Sequence, residues 1–263
     1  MKAATSSLAS YLDAHPRAMC GREPHYFCCN FDKGRAWYEE HFRDAPADAI
    51  VGEKTPHYLH SPEAIDRMAA LLPGAKLIAL LRDPVDRALS HYWHERRLEH
   101  ETLDLRAALD AEPERLARGE TGFGYVERGR YLVQLQRVVE RYPRDALLVL
   151  LFEDLRDRPV ETFREAARFL GVDDGTVPSV VGAKGNVYRE HRPEWLWRLM
   201  FRRRLWRFLP DRGAKALASW MTRDAEYPPM DPALRRSLAE KFAPDNAALA
   251  DWLGKDLSGW AWS

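Results

Sequence analysis

The sequence has little cysteine, no excess of charge of either sign, and no long apolar run. Its three cysteines, Cys20, Cys28 and Cys29, are odd in number, clustered, and without the spacing of a metal-ligand set. That pattern argues against a disulfide framework and for a reducing compartment. Lys+Arg and Asp+Glu balance at 40 each, so no global positive field draws in nucleic acid or a long polyanion, and any anion site must be local. No stretch resembles a signal peptide or an apolar membrane span, and the expectation is a soluble, cytoplasmic protein. Repeats, low-complexity tracts and a convincing linker are also lacking. With 263 residues, 46% of them hydrophobic, the chain reads as a single domain, 1–263, around one substantial core.

What is present begins at the first residues, MKAATSSL, where Lys2, Ala3, Ala4, Thr5, Ser6 and Ser7 run into an amphipathic helix carrying Leu8, Tyr11 and Leu12. Small side chains let backbone N–H groups approach an anion, the helix dipole favours negative charge, and Lys2 adds a full positive charge. The composition suits a phosphate or sulfate cradle. It is not a Walker A loop, in which the lysine stands just before the hydroxyl residue. The plainer alternative is an ordinary helix with a Ser/Thr cap.

The middle of the chain alternates strands with helices. Residues 75–81 (AKLIALL) and 146–152 (ALLVLLF) are short apolar runs suited to strands buried on both faces, and 48–52 and 17–21 are shorter candidates. Pro84 opens a helix to about Leu98, and Pro159 opens another through Leu170 that Gly171 stops. This order predicts an α/β fold: a central parallel sheet flanked by helices, with ligands at the carboxyl ends of the strands. The segment 190–220 changes character, with Trp195, Trp197 and Trp206 beside Arg202, Arg203 and Arg204. Packed tryptophans with solvated arginines are the simpler reading, and peripheral membrane contact through Trp195–Phe208 is the alternative.

Three further segments carry chemistry where such a sheet would expose it. In RDPVDRALS, Arg82 ends a strand and Ser90 lies in the second turn of the next helix, a guanidinium and a hydroxyl suited to a phosphate monoester. The competing reading is an Arg82–Asp86 ion pair with Ser90 facing solvent. In REPHYF, Glu23 and His25 sit among aromatics after a short strand, where the carboxylate can act as a base unless it is a surface loop residue. In GEKTPHYL, Lys54 follows a strand; a solvated lysine is the default there.

Together these four segments resemble the sulfotransferase family that uses 3'-phosphoadenylyl sulfate, especially its bacterial members and the heparan sulfate sulfotransferase branch. FDKGRAWYEEHF (31–42), GRYLVQLQRVVERYP (129–143), LLFEDL (150–155), AKGNVY (183–188) and the stretch 227–260 are similar to family landmarks as well. The resemblance implies a P-loop-like sulfotransferase fold and transfer of a sulfuryl group to a hydroxyl or amine of a glycan, lipid or small-molecule acceptor. It implies that Lys2 to Ser7 hold the 5'-phosphosulfate, with Lys2 on the leaving oxygen, and that Arg82 and Ser90 hold the 3'-phosphate. Glu23 is then the base, His25 and Lys54 line the same site, and Lys184, Gly185, Asn186, Val187 and Tyr188 close over the nucleotide. No metal and no nucleic acid partner is implied. Cys28 stands where heparan sulfate relatives often have an aspartate, and Arg22 where lysine is common. The family also places an apolar strand directly before this lysine, whereas only Met1 precedes Lys2, so the sheet is expected to lack its first strand. A P-loop-type nucleotide kinase and a non-enzymatic membrane- or partner-binding protein are the alternatives; the lysine position and the absence of a Mg²⁺-binding carboxylate set weigh against the first.

Overall fold

The computed structural model describes residues 3–183, 189–191, 222–224 and 227–260. Lys2, Lys184 to Tyr188 and the Trp195–Phe208 stretch, each singled out by sequence, lie outside the described residues. Two compact units are present, one of residues 1–183 and 230–263 and one of 184–229. In the smaller unit the described structure is an antiparallel pair, Arg189–His191 with Thr222–Asp224.

The larger unit runs α1 (Thr5–Asp13), β1 (Ala18–Arg22), α2 (Tyr26–Cys29), α3 (Arg35–Glu40), β2 (Ile50–Glu53), α4 (Pro62–Leu71), β3 (Leu77–Leu81) and α5 (Pro84–Arg97). It continues with α6 (Leu105–Ala117), α7 (Tyr131–Val139), β4 (Leu147–Leu151), α8 (Phe152–Asp157) and α9 (Pro159–Leu170). The Pro232–Leu253 helix completes it. The predicted strands and helices are present within one or two residues of their expected bounds. Proline at the first turn fixes the starts of α5 and α9, and α5 is further capped by Asp83, whose carboxylate accepts the Val85 and Asp86 N–H groups. Gly171 ends α9 with φ of 86°, a left-handed conformation that glycine adopts without Cβ strain.

Both sheet pairs are parallel. In one, Ala18 pairs with Ile50 and Arg22 with Glu53; in the other, Leu77 to Leu81 pair in unbroken register with Leu147 to Leu151. Alternation along β3 divides the core between two faces. Ala79 and Leu81 join Tyr26, Phe27, Ile65, Met68 and Leu135 on one side, whereas Leu80 joins Leu8, Leu12, Leu150 and Phe163 on the other. Helices therefore cover both faces, as a buried parallel sheet requires. A third cluster, built around Tyr92, Tyr125, Leu238 and Phe242, ties α5 and α6 to the Pro232–Leu253 helix.

The sheet is split. Among the described residues no ladder joins β2 to β3, and between Gly52–Thr55 and Leu77–Leu80 lies a cavity of about 240 Å³. Leu8, Ala9 and Leu12 of α1 wall it on one face, Ile65 and Met68 of α4 on the other. This space is flanked by two strand edges and roofed and floored by apolar helices.

Filling and enlarging this cavity should act in opposite directions. Ala9→Leu adds three carbons into apolar space and should raise the melting temperature by about 2–4 °C, the equivalent of about 1 kcal/mol in a chain of this size. Met68→Ala should lower stability by about 2–5 kcal/mol. Thermal melts of both variants check this; a loss in Ala9→Leu would mean that the space is closed in solution.

Candidate active site

The parallel pairing of β1 with β2 assembles the site. Because Arg22 lies opposite Glu53 and the Lys54 N–H donates to the Arg22 carbonyl at 2.9 Å, the residues that follow each strand, Glu23 and Lys54, emerge side by side at the carboxyl end of the pair. Lys54 Nζ forms a salt bridge to Glu23 Oε2 and donates to Ser6 Oγ at 3.2 Å. One ammonium thus joins the first turn of α1 to the carboxylate after β1. His25 Nε2 lies 3.5 Å from the other carboxylate oxygen, Glu23 Oε1. Lys54 keeps 17% of its side chain exposed and Glu23 36%, so the pair is reachable from solvent.

Two of the three non-glycine residues with left-handed backbone among the described residues flank this pair: Ala4 at φ 57° and His25 at φ 51°. Each is the N-cap of the following helix, and neither α1 nor α2 has a side-chain cap. The Ala4 carbonyl accepts from the Ser7 and Leu8 N–H groups, which starts α1 abruptly, and Ala3 is buried. Strain of this kind persists where the surrounding structure enforces it. The first-turn amides of α1 are thereby presented beside Ser6 and Lys54, an arrangement suited to an anion. Tyr11 of α1 donates to the Ala183 carbonyl at 3.0 Å, which ties the residue just before Lys184 to the same helix.

Arg82 and Ser90 stand at the end of a different strand. Arg82 follows β3, its guanidinium 4.8 Å above the Phe152 ring and paired with Asp86 at 3.3 Å, so the ion-pair reading is realised. Asp86 is also held by Arg235 at 2.9 Å. Asp86 is thus shared by two guanidiniums. Ser90, expected to be either a ligand or solvent-facing, is buried.

Several polar groups near the site escaped the sequence reading. Glu53 is a half-buried carboxylate that accepts from Thr55 Oγ1 at 2.8 Å and from the Tyr58 hydroxyl at 2.9 Å; burial raises its carboxyl above the usual range. Tyr58 in turn accepts the Phe27 N–H at 3.2 Å, linking β2 to the turn that carries His25. The His25 and His57 rings meet edge to face at 5.5 Å, and His57 and His60 stand 5.5 Å apart. Burial, then the charge of Arg128, lowers His57 to about 4 and His60 to about 2. Arg128 is itself buried, its Nη2 bonded to the Thr121 carbonyl at 2.7 Å while Nε and Nη1 have no hydrogen-bond partner among the described residues. Burial and the neighbouring Arg87 lower its pKa to about 10. Nothing in ERGRY marked it out, because a buried guanidinium is a product of tertiary packing.

Beneath these residues, α5 carries a buried polar row. Arg87, fully buried, donates to the Tyr125 carbonyl, and its Nη1 lies 3.5 Å from His91 Nδ1. His91 Nε2 sits 3.6 Å from Glu95, which His100 also contacts at 3.0 Å. Burial holds His91 neutral, with its pKa lowered to about 3. An unfolded histidine binds a proton below about pH 6.5 that folded His91 refuses, so this residue's contribution to stability falls as pH drops through that value. The loss should approach about 1.4 kcal/mol per pH unit below it. Melting temperature measured between about pH 7 and about pH 5 should decline less steeply in His91→Gln than in the parent chain; equal slopes would place the acid sensitivity elsewhere.

The model of the sulfotransferase family matches residues 31–175, which include Lys54, Arg82 and Ser90. Heparan sulfate glucosamine 3-O-sulfotransferase 3B1 of Mus musculus is 31% identical over 179 residues, covering 65% of this chain and 44% of that protein. Bifunctional heparan sulfate N-deacetylase/N-sulfotransferase 3 of Homo sapiens is 27% identical over 281 residues, 98% of this chain and 30% of that protein. The chain thus spans less than half the length of these curated relatives. The crystal structure of a sulfotransferase from Alicyclobacillus acidocaldarius superposes with a TM-score of 0.75 at 28% identity, over 98% of this chain and 94% of that one. With more than half of its length matched by the family model and nearly all of it by a solved fold, the chain belongs to the sulfotransferase family.

Proposed function

We propose that this protein transfers a sulfuryl group from 3'-phosphoadenylyl sulfate to a hydroxyl or amine of an acceptor, releasing adenosine 3',5'-bisphosphate. The observation that carries the reading is the Lys54 ammonium, in contact at once with Ser6 of the α1 turn and with Glu23. A cation between an anion cradle and a carboxylate suits in-line transfer, in which the donor's S–O bond breaks as the acceptor's O–S or N–S bond forms. Donor phosphates and sulfuryl oxygens would lie on the amides of Ala3 to Ser7, with Lys2 at the leaving oxygen. As the donor draws Lys54 toward its own charge, Glu23 is released from the ion pair to take the acceptor's proton. His25, against Glu23, orients that carboxylate. Arg82 and Arg235, gathered on Asp86, would receive the 3'-phosphate together with Ser90.

A glycan is the acceptor class favoured by the relatives, whose names specify heparan sulfate. The chain's formal charge of zero fits a neutral or lightly charged acceptor better than a long sulfated polyanion.

Binding and chemistry separate into two tests. Adenosine 3',5'-bisphosphate should bind far more tightly than adenosine 5'-phosphate, and Arg82→Ala should cost about 2–4 kcal/mol of the former only; calorimetry giving equal affinities for the two nucleotides would remove the 3'-phosphate assignment. Glu23→Gln should leave nucleotide affinity nearly intact and slow transfer by about 10²–10⁴-fold. Unchanged turnover in that variant would move the base to another residue.

A further inference from the structure

One short turn beside Glu23 brings together three ligating side chains. His25 caps α2, and one helical turn later Cys28 and Cys29 fall at positions i+3 and i+4, the spacing that returns a side chain to the same face. His25, Cys28 and Cys29 each offer one ligand atom, and these lie within 4.8 Å of one another. Cysteine spacing alone did not disclose this set, because the third ligand is a histidine three residues upstream.

The distances suit a small soft cation. Cys28 Sγ is 3.9 Å from His25 Nδ1, against about 3.6 Å for a sulfur and a nitrogen sharing a tetrahedral zinc ion with ordinary bond lengths. The two sulfurs are 2.8 Å apart and would separate to about 3.8 Å. Rotation of Cys29 supplies that movement, since its side chain is exposed while Cys28 is partly buried. The backbone of the turn needs no rearrangement. The His25 carbonyl accepts from Cys29 and Asn30, Asn30 Nδ2 is bonded to the Pro24 carbonyl at 2.8 Å, and Arg67 holds the Phe27 carbonyl at 2.9 Å. Tyr26 and Phe27, between the ligands, are buried in the core. Such a preformed turn costs little ordering entropy on binding.

A partner also lies behind the imidazole. With Nδ1 on the metal side, Nε2 faces Glu23 Oε1 at 3.5 Å, the carboxylate–histidine–metal order that commonly fixes a ligating ring. Two thiolates and an imidazole select zinc or cadmium over magnesium or calcium, which take oxygen ligands.

We propose that His25, Cys28 and Cys29 form a site for one zinc ion, and that filling it holds Glu23 on the imidazole N–H and suppresses sulfuryl transfer. Both thiols lose their protons to solvent as the two metal–sulfur bonds form, with no change of oxidation state, and a water completes the coordination. The effect on transfer rests on the role proposed above for Glu23; binding of the ion does not.

The test uses the full chain with its thiols kept reduced. Co²⁺ titration should produce thiolate-to-cobalt charge-transfer absorption saturating at one equivalent, and added Zn²⁺ should abolish it. Cys28→Ser and Cys29→Ser should each weaken binding by on the order of 10²-fold or more, at least what loss of an outer partner costs. Cys20→Ser, at a buried strand position, should not. Metal-free melts of the serine variants establish that each is folded. Absence of a thiolate band, or a band that survives in Cys28→Ser and Cys29→Ser, overturns the site. Zn²⁺ should lower turnover of the parent chain and spare Cys29→Ser; bound zinc with undiminished turnover overturns the inhibitory role. If the metal-free chain shows no transfer while the cobalt band appears, the site stands and the transfer reading fails.

Discussion

Everything at the candidate site depends on where one ammonium is held. Lys54 leaves the carboxyl end of β2, and only the parallel pairing of β1 with β2 places it against Glu23. Its second contact, to Ser6, links the first turn of α1 to that pair, to which Asp13 already ties the end of the helix by accepting the Cys20 and Gly21 N–H groups. Ser6 and the amides share one turn, whereas Glu23 follows β1 and Lys54 follows β2. A displacement of about 1 Å at any of the three would cost transfer geometry that binding alone could not restore.

The supports around Lys54 are mostly polar and mostly buried. Glu53, Thr55 and Tyr58 form a bonded chain from β2 to the Phe27 N–H, so the turn carrying His25 is braced from the same strand that delivers Lys54. Arg87, His91 and Glu95 of α5, with Arg128 from the turn before α7, add buried charge and imidazole. Burial of such groups is unfavourable unless each finds a partner. The Nε and Nη1 of Arg128, without a hydrogen-bond partner among the described residues, are therefore a local destabilisation. Apolar packing on both faces of the split sheet offsets these costs.

Much of the fold was legible because its signals are local. Apolar runs read as β3 and β4, Pro84 and Pro159 read as helix starts, and Gly171 as a stop, each acting within its own segment. The site was legible in part. Lys54, Glu23 and Ser6 were named separately, and the structure brings them into contact; Arg82 was read both as a phosphate ligand and as the partner of Asp86, and the pair is formed. Glu53, Arg128 and the His25–Cys28–Cys29 cluster were missed, since burial, an absent partner and a one-turn juxtaposition are properties of packing rather than of spacing.

The central claim, that Lys54 acts as a link between the α1 anion turn and Glu23, is tested most directly by a double-mutant cycle on transfer rate. Lys54→Ala, Glu23→Gln and the combined variant are compared under saturating donor. The account predicts strong non-additivity, with the double variant little slower than the worse single one, because both changes break one working unit. Rate losses that simply multiply would show that the two residues act independently, and would contradict it.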